Sequence, residues 1–185
     1  IGDTPTAIMV MDFAFLGGSM GSVVGEKFAR AADLAIEMGM PMVSISASGG
    51  ARMQEGVLAL MQMSKTVAAV DEVREAALPF VSVLAHPTTG GVAASFAALG
   101  DVVIAEPGAL LSFSGPRVVK QTTREDVPDD FGLSESNYRH GHVDLIVPRA
   151  ELRETVARVV ALLSGGMPYR RAPLLPDLGA QRAVG

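Results

Sequence analysis

The sequence predicts an α/β fold with parallel strands and helical crossovers, and three observations predict it. Three times, a short apolar run rich in β-branched residues leads into a glycine pair that opens a helical stretch. The pairs are Gly17-Gly18, Gly49-Gly50 and Gly90-Gly91. Apolar residues make up 49 % of the 185 residues and charged residues 19 %, enough for a packed core and too little charge for a disordered chain.

The elements follow in order. Residues 6–15 (TAIMVMDFAF) read as a buried strand and LGGSMG as a glycine loop. A helix is expected from Ser22, as N-cap, to about Met38, with Val24, Phe28, Ala31, Ala35 and Met38 as its apolar stripe. Gly39 ends it, and Pro41 opens a strand over 42–47. After the loop SGGAR, residues 53–77 carry a helical period through Met53, Val57, Leu60, Met61, Ser64, Val67 and Ala68. Pro79 introduces a strand over 80–85. The loop HPTTGG then leads to the small-residue helix GVAASFAALG, and VVIAEP and ALLSFSG follow. PRVVKQTTRE reads as a short helix, 125–135 as an acidic solvated loop and DLIV (144–147) as a last short strand. Residues 149–163 form an amphipathic helix on Leu152, Val156, Val159, Val160 and Leu163. The domain is expected over 1–163, with a Pro/Gly-rich tail over 164–185 that is frayed or laid along a partner.

Composition narrows the function classes. Cys is absent, so no disulfide, thiolate metal site or cysteine nucleophile is built from this chain. A net charge of −5 argues against nucleic-acid binding by backbone neutralisation. No apolar run reaches the ~20 residues of a membrane span, and no signal peptide is visible, so a cytoplasmic protein is expected. Ile1 as first residue predicts a chain that starts inside a longer product or is processed.

A glycine pair at a strand-to-helix turn lets the backbone approach a ligand, and the first helical N–H groups point outward at the positive end of the dipole. Such a site suits a phosphate or a carbonyl oxygen that gains negative charge. The alternative is that the glycines merely make tight turns. GGSMGS lacks the spacing and the Lys of a P-loop and also fails G-x-G-x-x-G, which leaves the oxyanion use. Ionisable side chains near the loops are few: Arg52, Glu55 and His86. His86 is a candidate base or a satisfied loop histidine. His140 and His142 lack accompanying carboxylates, so no metal site is expected, and Met53, Met61 and Met63 read as core filler. Strong oxyanion stabilisation with few bases suits a substrate that brings its own base.

FLGGSMGSVVGEKFARAADLA (15–35), SASGGARMQEGVLALMQMSKT (46–66), HPTTGGVAASFAALGDVVIAEPGALLSFSGPRVV (86–119) and GHVDLIVPR (141–149) closely resemble the β-subunit family of bacterial acetyl-CoA carboxylase carboxyltransferases. More broadly they resemble the N-terminal half of biotin-dependent acyl-CoA carboxyltransferases. The resemblance spans about residues 8–163. It implies a crotonase-like (ClpP/crotonase) ββα spiral whose glycine loops line an acyl-CoA thioester site. It also implies transfer of a carboxyl group from carboxybiotin, on a biotin carboxyl carrier protein, to acetyl-CoA, giving malonyl-CoA. In the family's usual account CO2 is released, the ureido nitrogen takes the α-proton, the enolate attacks CO2, and backbone N–H groups hold the developing oxyanions.

By the same resemblance Gly90 and Gly91 form an oxyanion hole, and Gly49, Gly50 and Ala51 line the same pocket. Arg52 meets CoA phosphate or fixes the loop by an ion pair, with the loop role favoured. Ser114, Gly115 and Pro116 match a loop near the site. The family's four-cysteine zinc ribbon is not in this chain, so zinc enters only if such a ribbon lies upstream of Ile1. The family's site is shared between two homologous halves. An α subunit or equivalent C-terminal half is therefore expected as partner in a hetero-oligomer, with two copies of each subunit, and the isolated chain is expected to be inactive or nearly so. Acyl chain length stays open, since one methylene is worth only ~1–3 kcal/mol in a pocket. Two rival readings remain. Gly91-Val92-Ala93-Ala94-Ser95 has the form of the nucleophile stretch of Clp-type serine peptidases, although no histidine follows where they place one. The chain also reads as a non-catalytic acyl-CoA-binding or assembly subunit, against which stand the intact glycine pairs.

Overall fold

The computed structural model describes residues 1–165, so the expected tail lies, from residue 166 on, outside the described residues. Six strands form one parallel sheet: β1 (Ala7–Val10), β2 (Met42–Ser48), β3 (Phe80–Thr89), β4 (Val102–Ala105), β5 (Leu111–Ser112) and β6 (Leu145–Ile146). Their order is β1-β2-β3-β4-β6, with β5 paired to the far end of β3. The helices are α1 (Ser22–Met38), α2 (Val57–Glu75), α3 (Gly90–Ala93), α4 (Pro116–Thr123), α5 (Ser134–Arg139) and α6 (Arg149–Leu163).

Side chains alternate across the sheet, so each strand feeds two cores. On one face Met42, Phe80 and Leu84 pack with Phe28, Ala32 and Ala35 of α1 and with Ala69, Val70 and Val73 of α2. Phe28 is central: its ring lies 6.0 Å from that of Phe80, edge-on, and 4.4 Å from that of Phe96. On the other face Val43, Val81, Val83 and Ile104 meet Val156 and Val160 of α6. Burying one such side chain contributes ~1.5–3 kcal/mol.

Four expectations are corrected. The first strand ends at Val10 rather than residue 15, because the chain turns into the loop that carries a 3₁₀ turn at Leu16–Gly18. The N-cap of α1 is Gly21, not Ser22; Ser22 is already helical, and its N–H donates to Glu55 Oε2 at 2.7 Å. β3 runs on through His86–Thr89, four residues past the expected end. Thr88 and Thr89 hold this extension by donating to the Ser46 and Ser48 carbonyls at 2.9 and 3.2 Å.

The fourth correction concerns α2. The apolar stripe read from the sequence is present, but it faces away from the sheet. Val57, Leu60 and Met61 are exposed, while Ala59, Gln62, Thr66, Ala69, Val70 and Val73 face inward. Met53, in a 3₁₀ turn ahead of the helix, is 90 % exposed, so neither it nor Met61 is core filler; Met63 is half-buried against the core. Close approach of α1 is the reason. A Cβ on Gly25 of α1 would lie 2.1 Å from Gln62 Oε1, so α1 packs directly on the side of α2 that carries Gln62, and Val57, Leu60 and Met61 are left on the other side.

Candidate functional site

The carboxyl ends of β1, β2 and β3 bring the three glycine loops together. The first two are stitched by their backbones: Gly49 N–H donates to Gly17 O (2.9 Å), Met20 N–H to Gly50 O (2.8 Å) and Arg52 N–H to Met20 O (2.9 Å). The second and third cross at Gly50 and Gly90. A Cβ on Gly90 would lie 3.0 Å from the Gly50 Cα, and both residues have positive φ, +111° and +58°. This is a close approach only glycine permits.

The amides of the sequence-predicted glycines are not equivalent. Gly90 N–H donates to Phe113 O at 3.1 Å, Gly50 N–H to Ser48 Oγ at 3.0 Å, and Gly49 N–H to Gly17 O as above. These three donors are engaged, which corrects the expectation that Gly90 offers its N–H to a ligand. The amides of Gly91 and Ala51 have no hydrogen-bond partner among the described residues. They are neighbours: a Cβ on Gly91 would lie 3.5 Å from the Ala51 nitrogen and 3.2 Å from the Ala51 Cβ. Gly91 is in the first turn of α3, where amides lack intrahelical acceptors. Local sequence marks the glycines but not which amide stays open, because the acceptor that closes Gly90 comes from Phe113, far along the chain.

The other predicted site residues surround this pair. Arg52 packs within the loops: Nη1 lies 3.0 Å from Glu55 Oε1, Nε donates to Ser19 Oγ at 3.0 Å and Nη2 to Ser19 O at 2.9 Å. Its guanidinium also lies 5.9 Å from the centre of the Phe15 ring. Ser114, Gly115 and Pro116 follow Phe113 directly, with Gly115 as N-cap and Pro116 as first residue of α4, so this loop abuts Gly90. His86 is the satisfied loop histidine: its Nδ1 accepts the Leu110 N–H at 3.1 Å. Ser95 is buried, and its Oγ donates to Gly91 O at 2.6 Å.

Two cavities flank the loops. One, of about 390 Å³, lies between β1, the first loop and α1, with Met9, Met11, Phe15, Val24, Lys27 and Arg52 in its wall. The other, of about 230 Å³, borders Thr88, Ala93, Ser112 and Phe113. Lys27 is exposed and makes no ion pair among the described residues. Lys27 lies within the stretch FLGGSMGSVVGEKFARAADLA that carries the resemblance, but nothing local to it marks it as a site residue; only the fold, which sets it in the cavity wall beside Arg52, does so.

Residues 2–177 match the family model of the carboxyl transferase domain. The chain belongs to the carboxyl transferase family. Its fold is the crotonase-like α/β spiral of that family, as the resemblance implied. Among similar proteins is the acetyl-coenzyme A carboxylase carboxyl transferase subunit beta of Thermus thermophilus, 56 % identical over 169 residues, 91 % of this chain and 59 % of the relative. The same-named subunit of Desulforamulus reducens is 57 % identical over 162 residues, 88 % of this chain and 56 % of the relative. The chain thus spans less than two thirds of these relatives' length. Among solved structures, transcarboxylase 12S with methylmalonyl-coenzyme A and methylmalonic acid bound superposes with a TM-score of 0.73 at 30 % identity, over 83 % of this chain and 30 % of that one. The Pseudomonas malonate decarboxylase MdcD–MdcE hetero-dimer gives 0.76 at 28 % identity, over 91 % of this chain and 75 % of that one.

Proposed function

We propose that this chain is the acyl-CoA side of a biotin-dependent carboxyltransferase, and that it stabilises the enolate of acetyl-CoA with the amides of Ala51 and Gly91. The observation that carries the reading is this adjacent pair of unengaged donors beside an Arg52, a Glu55 and a His86 that are each held by partners within the fold. Arg52 is held by Glu55 and Ser19, Glu55 by Ser22 and Arg52, and His86 by Leu110. A thioester held here meets strong oxyanion donors and no free protein base, which suits a substrate-borne base. Carboxybiotin, on its carrier protein, supplies both the carboxyl group and the nitrogen base. The chain's share is to hold the thioester oxygen against two N–H groups whose orientation is set before the reaction, so little reorganisation is needed as charge develops. The 390 Å³ cavity beside Arg52 suits the pantetheine arm of the coenzyme, with Lys27 at hand for a phosphate.

A partner belongs to this reading. Exposed apolar residues grouped on one surface mark an interaction site, and α2 exposes Val57, Leu60 and Met61 on the side away from its own core. A second carboxyltransferase-fold chain, an α subunit or equivalent half, covers that stripe and supplies the biotin side. The similarity to a malonate decarboxylase hetero-dimer supports such an arrangement.

Reconstitution with the α subunit, carboxylated biotin carrier and acetyl-CoA tests it, with malonyl-CoA as readout. Ala51→Pro removes a donor that has no partner in the fold, so folding is expected to stay intact while the rate falls by about 10²–10³-fold. An unchanged rate would remove the assignment. The serine-peptidase reading is disfavoured by Ser95, whose hydroxyl is buried and donates to a backbone carbonyl rather than to a base.

A further inference from the structure

Between the 390 Å³ cavity and the open amides lies a polar cluster that neither the fold nor the oxyanion pair explains by itself: Ser19, Gly21, Ser22, Arg52 and Glu55. The two carboxylate oxygens of Glu55 have separate tasks. Oε2 accepts the Ser22 N–H at 2.7 Å, at the start of α1, and Oε1 accepts Arg52 Nη1 at 3.0 Å. Arg52 then reaches across to Ser19 twice, through Nε to Oγ and through Nη2 to the carbonyl. Gly21 is the gap that admits the clasp: a Cβ there would lie 2.2 Å from Glu55 Oε1 and 2.9 Å from Arg52 Nη1. The hydrogen bonds Met20 N–H to Gly50 O and Arg52 N–H to Met20 O grip the chain on both sides of Ala51. Whatever fixes the first loop therefore fixes the direction of the Ala51 N–H.

We propose that Glu55 is a positioning residue: through Ser22 and Arg52 it clasps the first glycine loop to the second and so aims the Ala51 amide, without touching the substrate. This rests on the carboxyl-transfer reading above. Glu55 is unsuited to act as a base, because both its oxygens already accept hydrogen bonds. The Ser22 N–H foremost, with Arg52 behind it, holds its carboxyl below the usual range, so it stays ionised at neutral pH. The clasp joins the wall of the cavity to the amide, since Ser19 and Arg52 both line that cavity.

The test uses the assembled carboxyltransferase, with the α subunit and carboxylated biotin carrier, and compares wild type with Glu55→Gln, Gly21→Ala and the double variant. Gln keeps an acceptor for Ser22 but cannot serve Arg52 as well. A small misalignment of a transition-state donor lowers kcat rather than substrate affinity. Expected is a loss in kcat of about 10–100-fold, with KM for acetyl-CoA within about threefold. A thioether analogue of acetyl-CoA, which lacks the carbonyl oxygen, is expected to bind all variants equally. Gly21→Ala expels the same carboxylate, so the double variant should fall no further than the worse single one. Should Glu55→Gln fold poorly, Ser19→Ala loosens Arg52 while leaving the cap of α1, and it is expected to lower kcat in the same direction. Wild-type kcat in Glu55→Gln, a loss expressed only in KM, or losses that multiply in the double variant would overturn the proposal. An active wild-type enzyme with an unimpaired Glu55→Gln ends this proposal alone, whereas a wild-type assembly that forms no carboxylated thioester overturns both readings.

Discussion

Gly50 and Gly90 cross backbone to backbone: a Cβ on Gly50 would lie 3.1 Å from the Gly90 Cα and 3.2 Å from the Gly91 nitrogen. Gly50→Ala therefore meets two penalties at once, a φ of +111° and a neighbour that is main chain and cannot swing aside. The variant is expected to push the second loop off the third and lower carboxyl transfer by about 10²-fold, the size of effect a misplaced reacting geometry produces. Gly17→Ala is the control. Its φ is also positive, but a Cβ there meets nothing within 4 Å, so only the left-handed penalty of ~1–2 kcal/mol applies. Rate assays on the assembled enzyme, with chemical denaturation of each variant, separate the two.

The outward stripe of α2 gives a stability contrast. Met61 is 58 % exposed and Phe28 is fully buried between Phe80 and Phe96. Met61→Ala in the isolated chain is expected to change unfolding free energy by no more than about 0.5 kcal/mol. Phe28→Ala is expected to cost about 3–5 kcal/mol. A large loss at Met61 would show that the stripe belongs to this chain's own core.

Much of this was legible in the sequence, and the parts that were not share a cause. The helix expected at 149–163 is α6 to the residue, and every glycine pair does sit where a strand gives way to a helix or 3₁₀ turn. Such features depend on residues a few positions apart. The direction of the α2 stripe was not legible, because a period of 3.6 shows that one side is apolar and not which side meets the sheet. The cap of α1 was missed because Glu55 reaches Ser22 across 33 residues. The engaged state of the Gly90 amide was missed likewise, since its acceptor is the carbonyl of Phe113. Long-range hydrogen bonds decide which of several similar glycine amides remains available, and they leave no local pattern.

Glu106 and Arg149 fasten the start of α6 to the end of β4. Arg149 Nη2 lies 2.7 Å from Glu106 Oε2, and Nε pairs with the other oxygen. The Arg149 guanidinium holds the Glu106 carboxyl below its ordinary value of 4.5, against the opposing effect of burial. A depressed carboxylate contributes stability that is fully present above its unfolded value and is lost as pH falls through the lower folded value. At neutral pH, Glu106→Gln is therefore expected to unfold more easily than wild type by no more than about 1 kcal/mol, because the Arg149 end of the pair is 78 % exposed and screened by solvent. That difference should shrink as pH is stepped below 4.5. Urea titrations of both proteins across that range check it, and a difference that stays constant would assign the loss to packing instead.

Ser95 is the residue at which the carboxyl-transfer and peptidase readings make opposite predictions. Its Oγ donates to Gly91 O at 2.6 Å and is 3.3 Å from Val92 O, closing the short helix whose first turn carries the open Gly91 amide. Ser95→Ala removes that donor and leaves a buried carbonyl short of one hydrogen bond. A stability loss of about 1–3 kcal/mol is therefore expected. The chemistry should survive, because Gly91 N–H and Ala51 N–H are main-chain groups that the hydroxyl does not touch. Malonyl-CoA formation by the assembled variant, measured beside hydrolysis of a fluorogenic peptide, decides between the readings. Retained carboxyl transfer with no peptidase activity in either protein places Ser95 in the packing of α3, whereas peptide cleavage that disappears with the hydroxyl would make it a nucleophile.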